Sequence, residues 1–289
     1  MIGDNSYYGH AQVLRDYCSV RGRPSIPGRL QHGWTTGAGV WEPGLLEPWP
    51  KYLWARRNVE LAIAGGHRHI VPVGAPFLYL PPLSLPDIPE RGSNSLLVFP
   101  FHGWEKQAAE GSMRSYADAI ETLAADGFGP VTVCLYWKEY EDPAARRVFE
   151  ARGFDVTTNG HRDRNPTFLH KQRALIASHG AVCSNRVSTA SFYALASGRP
   201  FFLHGPPAGL AGTDDPTGES YARWQLDAFP VLSYDAFTGD LHREVALREL
   251  GAEYIRTPEE LRAILCWNPG GVAVRATRRV RGWLRRSPS

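Results

Sequence analysis

Between Ser95 and Leu203 the chain repeatedly alternates a short, mostly apolar run with a longer amphipathic stretch. The runs are Leu96-Leu97-Val98-Phe99, Val131-Thr132-Val133-Cys134-Leu135-Tyr136, Phe154–Thr157, Ala181-Val182-Cys183-Ser184 and Pro200-Phe201-Phe202-Leu203. The stretches between them predict helices over 112–126, 143–152, 166–178 and 188–197, three of which close at a glycine, Gly127, Gly153 or Gly198. Tyr116, Ile120, Leu123 and Ala124 share one face of the first helix. Runs this short and this apolar suit strands buried on both faces, and parallel neighbours need such a helix to carry the chain back to the same end of the sheet. The pattern predicts an α/β fold, a doubly wound parallel sheet with helices on both faces.

The first part of the chain reads as a smaller unit of the same kind. A helix is expected over 10–21, strands at Gly28–His32 and Tyr52–Trp54, a helix over 56–65 and a strand at His69–Val73. Four prolines in Leu80–Pro89 exclude a helix or a central strand and mark a linker. The expected organisation is a small N-terminal domain at 1–92, a second domain at 93–268 and a basic tail at 269–289. A length of 289 residues accommodates two modest domains, and 43% hydrophobic with 11% aromatic residues excludes a disordered chain. No run approaches the roughly 18 consecutive apolar residues of a membrane span, and the N-terminus lacks the basic and apolar regions of a secretory signal, so a cytoplasmic product is expected. Cys18, Cys134, Cys183 and Cys266 are scattered, without a C-x-x-C pair, and read as reduced structural thiols.

The charge is uneven. Arg275, Arg278, Arg279, Arg281, Arg285 and Arg286 crowd the tail, and no acid follows Glu260; without those six, 26 of the 32 Lys and Arg remain against 29 Asp and Glu. With Ala276, Val280, Trp283 and Leu284 near one face, residues 271–286 are expected to form a short basic amphipathic helix that either lies on an anionic membrane surface or packs on the first domain. No aromatic stacking platform accompanies the arginines, which argues against a nucleic-acid partner.

In an open parallel sheet, ligands bind beyond the carboxyl ends of the strands. After the run at 96–99 stands Phe101-His102-Gly103, which places His102 either in the crevice or as a helix cap. After the run at 181–184 stands Asn185-Arg186-Val187-Ser188-Thr189, opening directly into a helix. Backbone N–H groups, hydroxyls and the positive end of the helix dipole converge there, which suits a phosphate, although Ser188 can equally serve as a simple N-cap. His161 follows Asn159-Gly160 at another strand end. In the first domain, Gln31-His32-Gly33-Trp34-Thr35-Thr36-Gly37 repeats the plan, and His32 is a candidate general base or a turn histidine. No G-x-G-x-x-G or G-x-x-x-x-G-K-[ST] follows a predicted strand, which argues against a dinucleotide dehydrogenase and a P-loop nucleotidase. No carboxylate or His/Cys set suggests a metal.

The string Ser184-Asn185-Arg186-Val187-Ser188-Thr189-Ala190-Ser191-Phe192-Tyr193-Ala194-Leu195-Ala196-Ser197-Gly198-Arg199-Pro200 resembles the donor-site segment of GT-B glycosyltransferases. His32-Gly33, Trp54, Arg56, Ala64-Gly65-Gly66 and Val73-Gly74-Ala75-Pro76 resemble the acceptor half of bacterial capsule and polysaccharide transferases, and Ser188-Thr189 is similar to the Ser-Ser/Thr motif of sialyl- and polysialyltransferases. The His-Pro dipeptide of the sialyltransferase-like enzymes is missing, and Phe192 and Tyr193 stand where an acid often holds the donor ribose.

The resemblance implies two Rossmann-like domains of GT-B type and an inverting, metal-independent transfer from a nucleotide-sugar donor to a saccharide, lipid-linked or small-molecule hydroxyl acceptor, with no cofactor. It assigns His32 as the base, Gly33, Trp34 and Thr35 to the acceptor side, and His102, His161, Ser184, Asn185, Ser188 and Thr189 to the donor nucleotide. A nucleotide-sugar 2-epimerase has the same two-domain plan and resembles the chain around Gly74-Ala75-Pro76, but relies on several carboxylates, and the sequence displays no comparable set. A non-catalytic nucleotide or sugar binder is the third alternative.

Overall fold

Two parallel sheets, each in its own compact unit, organise the protein. The structure, a computed structural model, describes residues 5–39, 48–83, 91–215 and 217–268. One unit comprises Met1–Pro82 and Leu247–Ser289, the other Leu83–Ala246.

In the first unit, β1 (Arg29–Leu30), β2 (Lys51–Leu53) and β3 (Ile70–Pro72) pair in parallel in chain order. α1 (His10–Tyr17) precedes the sheet and α2 (Arg56–Ala64) carries the chain from β2 to β3. The apolar side of α2 packs Val59 and Ala62 against Leu53, Ile70 and Tyr254. Helix α1 is shorter than the expected 10–21, because Ser19 adopts a left-handed backbone two residues after Tyr17.

The second unit contains β4 (Leu96–Val98), β5 (Ala109–Glu110), α3 (Met113–Ala125), β6 (Val131–Cys134), α4 (Trp137–Glu141), α5 (Pro143–Glu150), β7 (Asp155–Thr157), α6 (Phe168–Ala177), β8 (Ala181–Ser184), α7 (Thr189–Ala196), β9 (Phe201–Leu203), β10 (Gly209–Leu210) and α8 (Glu219–Ala228). Five of the strands form one parallel sheet in the order β7-β6-β4-β8-β9, and β5 pairs antiparallel with β10 beside it. The predicted α/β class therefore holds in both units. Leu96 and Val98 of the central strand pack with Tyr116, Ile120 and Leu123 of α3, Val131 and Val133 of β6, Phe149 of α5 and Phe202 of β9. Ser112 caps α3 by accepting from Ser115 N–H at 3.1 Å, and Asp142 caps α5 by accepting from Ala144 N–H at 2.8 Å, with Pro143 opening that helix.

Two sequence expectations change. The run predicted as a strand to Tyr136 stops at Cys134, since α4 starts at Trp137 and precedes the Asp142 cap. The chain from 93 to 268 does not stay in one unit, because the described residues from Leu247 onward complete the first sheet's surroundings. There Ala75 N–H donates to Leu250 C=O at 2.8 Å, Tyr17 Oη donates to Arg256 C=O at 2.9 Å, and Trp267 Nε1 donates to Ser25 C=O at 3.0 Å. α9 (Arg243–Glu249) spans the passage between units, and α10 (Pro258–Ile264) opens with a reciprocal cap in which Thr257 Oγ1 accepts from Glu260 N–H and Glu260 Oε2 accepts from Thr257 N–H. The basic tail at 269–289 and most of the proline-rich linker lie outside the described residues.

Gly251 tests this return segment. Its φ of +71° is left-handed, and a Cβ there would run into the Trp54 carbonyl. Gly251→Ala is expected to destabilise the protein by at least about 1–2 kcal/mol from the backbone conformation alone. A urea midpoint equal to wild type would show that the segment does not pack in this way.

Candidate functional site

Each unit gathers polar and aromatic side chains at the carboxyl edge of its sheet. In the first unit, β1 runs into Gln31, whose buried amide organises the turn after it. Gln31 Oε1 accepts from Trp54 N–H at 2.9 Å, and Gln31 Nε2 donates to Gly33 C=O at 2.9 Å and to Asn58 Oδ1 at 3.3 Å. Asn58 Nδ2, on α2, donates to Thr35 C=O at 3.3 Å and Gly37 C=O at 2.7 Å, and Arg57 Nη2 donates to Thr36 C=O. The segment 33–37 is thus held mainly through its own carbonyls. Trp34 Nε1 donates to Glu249 Oε2 at 2.9 Å, and Thr35 Oγ1 accepts from Gly37 N–H. Of the expected acceptor-side residues, Gly33 and Thr35 bond within this turn, and Trp34 ties it to Glu249.

His32 is exposed at the end of that edge, with its ring 4.4 Å from Tyr7 and 5.0 Å from Tyr8. Beneath the tyrosines lies His10, 1% exposed, its ring 5.4 Å from Tyr7 and 5.8 Å from Trp54. Burial, followed by the nearby His32, pushes the His10 imidazole well below its usual range, so His10 is neutral at pH 7. Tyr8 itself holds a left-handed φ of +53° before Gly9.

In the second unit the strand order reverses between β4 and β8, the kind of place outside whose strand ends ligands of open α/β sheets bind. Ser184 and Asn185, expected to hold the nucleotide, are buried and hydrogen-bond to backbone. Ser184 Oγ donates to Phe99 C=O at 2.6 Å, Asn185 Oδ1 accepts from Phe101 N–H at 2.9 Å, and Asn185 Nδ2 donates to Pro206 C=O at 3.1 Å. Ser188, expected to hold phosphate as well, spends its own N–H on Ser191 Oγ at 3.0 Å, and Thr189 is the first residue of α7.

Beside them stands Arg186, its guanidinium carbon 4.3 Å from the Phe101 ring centre and 3.8 Å from that of Tyr221, with Nη1 donating to Ala208 C=O at 2.8 Å. Burial lowers its pKa. The acid acting on it, Asp215, already accepts from Glu219 N–H, Ser220 N–H and Thr217 Oγ1.

On the other side of the crossover, the ends of β4, β6 and β7 assemble two flat ring pairs. His102 stacks on Tyr136 at 4.2 Å and 5°, and His161 stacks on Trp137 at 4.3 Å and 29°. A carbonyl only accepts, so the 2.6 Å contact of His102 Nδ1 with Gly103 C=O places a proton on Nδ1. Burial lowers the His102 pKa against the opposing pull of that bond and of Glu105. The neutral ring then keeps a lone pair on Nε2. His161 Nδ1 accepts from Asp163 N–H at 3.1 Å.

Glu105 accepts from Tyr136 Oη at 2.8 Å and pairs with Arg162 at 2.9 Å; burial opposes its charge, but these donors outweigh it and hold the carboxyl below its usual value. Glu139, in α4, shows the opposite shift: burial, reinforced by the charge of Glu105, raises its pKa. Glu105, Tyr136, Trp137, Glu139 and Arg162 were absent from the sequence expectation. Tyr136-Trp137 directly after an apolar run is the signal that could have exposed them, had the run been ended at Cys134. Among the described residues no group of three or more His, Cys, Asp or Glu is placed to hold a metal ion, and no helix is long and apolar enough to cross a membrane.

No family model and no curated protein matches the chain. Among solved structures, the chain is similar to UDP-GlcNAc 2-epimerase from Neisseria meningitidis bound to UDP-GlcNAc, with 10% identity and a TM-score of 0.35, covering 82% of this chain and 61% of that one. It is also similar to the S. aureus MnaA–UDP co-structure, with 10% identity and a TM-score of 0.36, covering 83% and 61%. The chain thus spans less than two thirds of the length of either structure.

The placement of Asn185 yields a direct test. Asn185→Ala leaves Phe101 N–H and Pro206 C=O without their partner, and a buried group left unpaired costs about 1–3 kcal/mol. A loss of that size in chemical denaturation is expected, and an unchanged midpoint would show that Asn185 is not the tie between these loops.

Proposed function

We propose that the second unit is the nucleotide-binding half of an enzyme acting on a nucleotide-activated sugar. The observation that carries this reading is the crossover between β4 and β8, where Arg186 and the amino end of α7 stand at the same sheet edge as the ring pairs of His102 and His161. A cation and a helix amino end suit a diphosphate, and flat rings suit a nucleobase. The contribution of Ser188 and Thr189 to the phosphate would come through the helix end they open, and Ser184 and Asn185 would act by fixing its position.

Two reactions follow from such a substrate. Transfer to a hydroxyl acceptor needs a base, and exposed His32 of the first unit is the candidate; the helix end and Arg186 would then stabilise charge on the leaving diphosphate. Epimerisation at the sugar's C2 needs acid–base groups but no acceptor, and the carboxyls of Glu105 and Glu139 supply the feature that the sequence did not display. That pair favours epimerisation over transfer.

Titration calorimetry with UDP, GDP, dTDP and CMP tests the substrate class. One of them is expected to bind, and Arg186→Met should weaken it about 10- to 100-fold, the worth of a charge-assisted hydrogen bond. Absence of binding by all four would overturn the reading. Incubating the corresponding sugar nucleotide without acceptor then separates the reactions: inversion at C2 identifies an epimerase, and nucleotide release that requires an added hydroxyl acceptor identifies a transferase. In the transferase case His32→Ala should slow turnover about 10²–10⁴-fold.

A further inference from the structure

One side of α8 is given over to Arg186 and the residue after it. Tyr221 Oη donates to Val187 C=O at 3.2 Å, and Gln225 Oε1, one turn further along the helix, accepts from Val187 N–H at 2.7 Å. Tyr221 also lays its ring 3.8 Å from the guanidinium carbon, and Phe101, from the loop after β4, lays its own at 4.3 Å. The ring partners of these two are Trp224 and His102, not each other, so they flank the guanidinium from different sides. Nη1 donates to Ala208 C=O at 2.8 Å. That carbonyl is hemmed in by Gly218, the left-handed residue before α8, where a Cβ would run into it. No carboxylate pairs with Arg186 among the described residues; Asp215, whose charge reaches it, has both oxygens committed to the start of α8.

A guanidinium carries its N–H donors in one plane. With both faces under rings and Nη1 turned to Ala208, the fork of Nε and Nη2 is the part of the ion left for a ligand. A half-buried cation without a carboxylate beside it favours an anion there. We propose that this fork grips two oxygens of one phosphate group side by side, and that Tyr221 and Phe101 are positioning residues that fix the plane in which the phosphate must lie. The inference rests on the nucleotide reading for the identity of the ligand, whereas the fork is built by this chain alone. A lysine at 186 would supply the charge but neither the fork nor a flat face for the rings. The same fixing makes the site selective: a ligand has to present paired oxygens in that plane, and a neutral nucleoside gains nothing from it.

Inorganic pyrophosphate, titrated into the full chain, tests the fork without a nucleobase. The proton–nitrogen correlation signal of Arg186 Nε, assigned by its loss in Arg186→Lys, is expected to shift on addition. A signal that does not move, or pyrophosphate that does not bind, overturns the proposal. By calorimetry, Arg186→Lys and Tyr221→Leu are each expected to weaken pyrophosphate about tenfold or more. Equal affinity in wild type and Arg186→Lys means that charge alone is felt and overturns the fork. Tyr221→Phe loses the bond to Val187 but keeps the ring, so it should stay close to wild type; a loss as large as that of Tyr221→Leu overturns the role of the ring. In the Arg186→Lys background Tyr221→Leu should cost nothing further, whereas a merely structural effect would add to it. If Tyr221→Leu does not fold, Phe101→Leu repeats the ring test from the other face, and the Nε signal of the wild type still decides the fork. The nucleotide reading is judged separately. Pyrophosphate bound through Arg186 with UDP, GDP, dTDP and CMP all unbound leaves the fork standing and removes that reading; a nucleotide bound equally by wild type and Arg186→Lys keeps the reading and overturns the fork.

Discussion

The second unit depends on a pair of bonds across the place where its strand order reverses. The ladder between β4 and β8 ends with Phe99 N–H donating to Cys183 C=O at 2.9 Å, and beyond it the two chains part into separate loops. Ser184 Oγ to Phe99 C=O and Phe101 N–H to Asn185 Oδ1 supply the bridge, and Asn185 extends it to the loop after β9 through Pro206 C=O. Several polar and aromatic groups at this edge are anchored to it. His102 and Gly103 follow Phe101 directly, Arg186 follows Asn185, and the Phe101 ring forms one side of the guanidinium sandwich. Ser184 and Asn185, expected from the sequence to hold a nucleotide, form part of this frame. Small polar side chains at a strand end serve either purpose with the same chemistry, and only the positions of neighbouring carbonyls decide between them.

The first unit solves the corresponding problem with amides in place of hydroxyls. Gln31 and Asn58 between them satisfy three carbonyls and one N–H of the segments after β1 and β2, which leaves the backbone of 33–37 little freedom and sets His32 at its rim. The cost of burying two amides is offset because each finds partners on both sides. The rings of Tyr7 and Tyr8 back His32, and burial holds the His10 imidazole beneath them well below its usual pKa.

The periodicity from Ser95 to Leu203 made the alternation of strands and helices legible, because buried parallel strands show up as apolar runs and glycine marks the helix ends. Helix α4 escaped because it is one and a half turns long and begins in aromatic residues that also extend a strand pattern; the carboxyls and rings it brings to the site escaped with it. Helix α10 had a readable start in Thr257-Pro258-Glu259-Glu260, yet nothing local to that motif says which unit the helix joins. That choice is made by distant carbonyls such as Ser25, Cys18 and Pro72, which accept from Trp267, Arg262 and Arg256. Of the site, the positions after the strands were visible, whereas the direction each side chain takes depends on partners far away in sequence.

The discontinuity of the first unit has a consequence for how the chain matures. Residues 83–246 form one uninterrupted stretch, so their unit holds all its contacts as soon as that stretch has been synthesised. The first unit begins earlier and finishes later. Tyr17 waits for Arg256, 239 positions downstream, and Tyr52 waits for Ile264, 212 positions downstream. Until then Trp54 and its neighbours lack part of their cover, and a nascent chain stalled before residue 247 carries all three strands of the first sheet without the segment that packs on them. The order of assembly therefore departs from the order of synthesis, with the middle of the gene product maturing first and its beginning completed by its end.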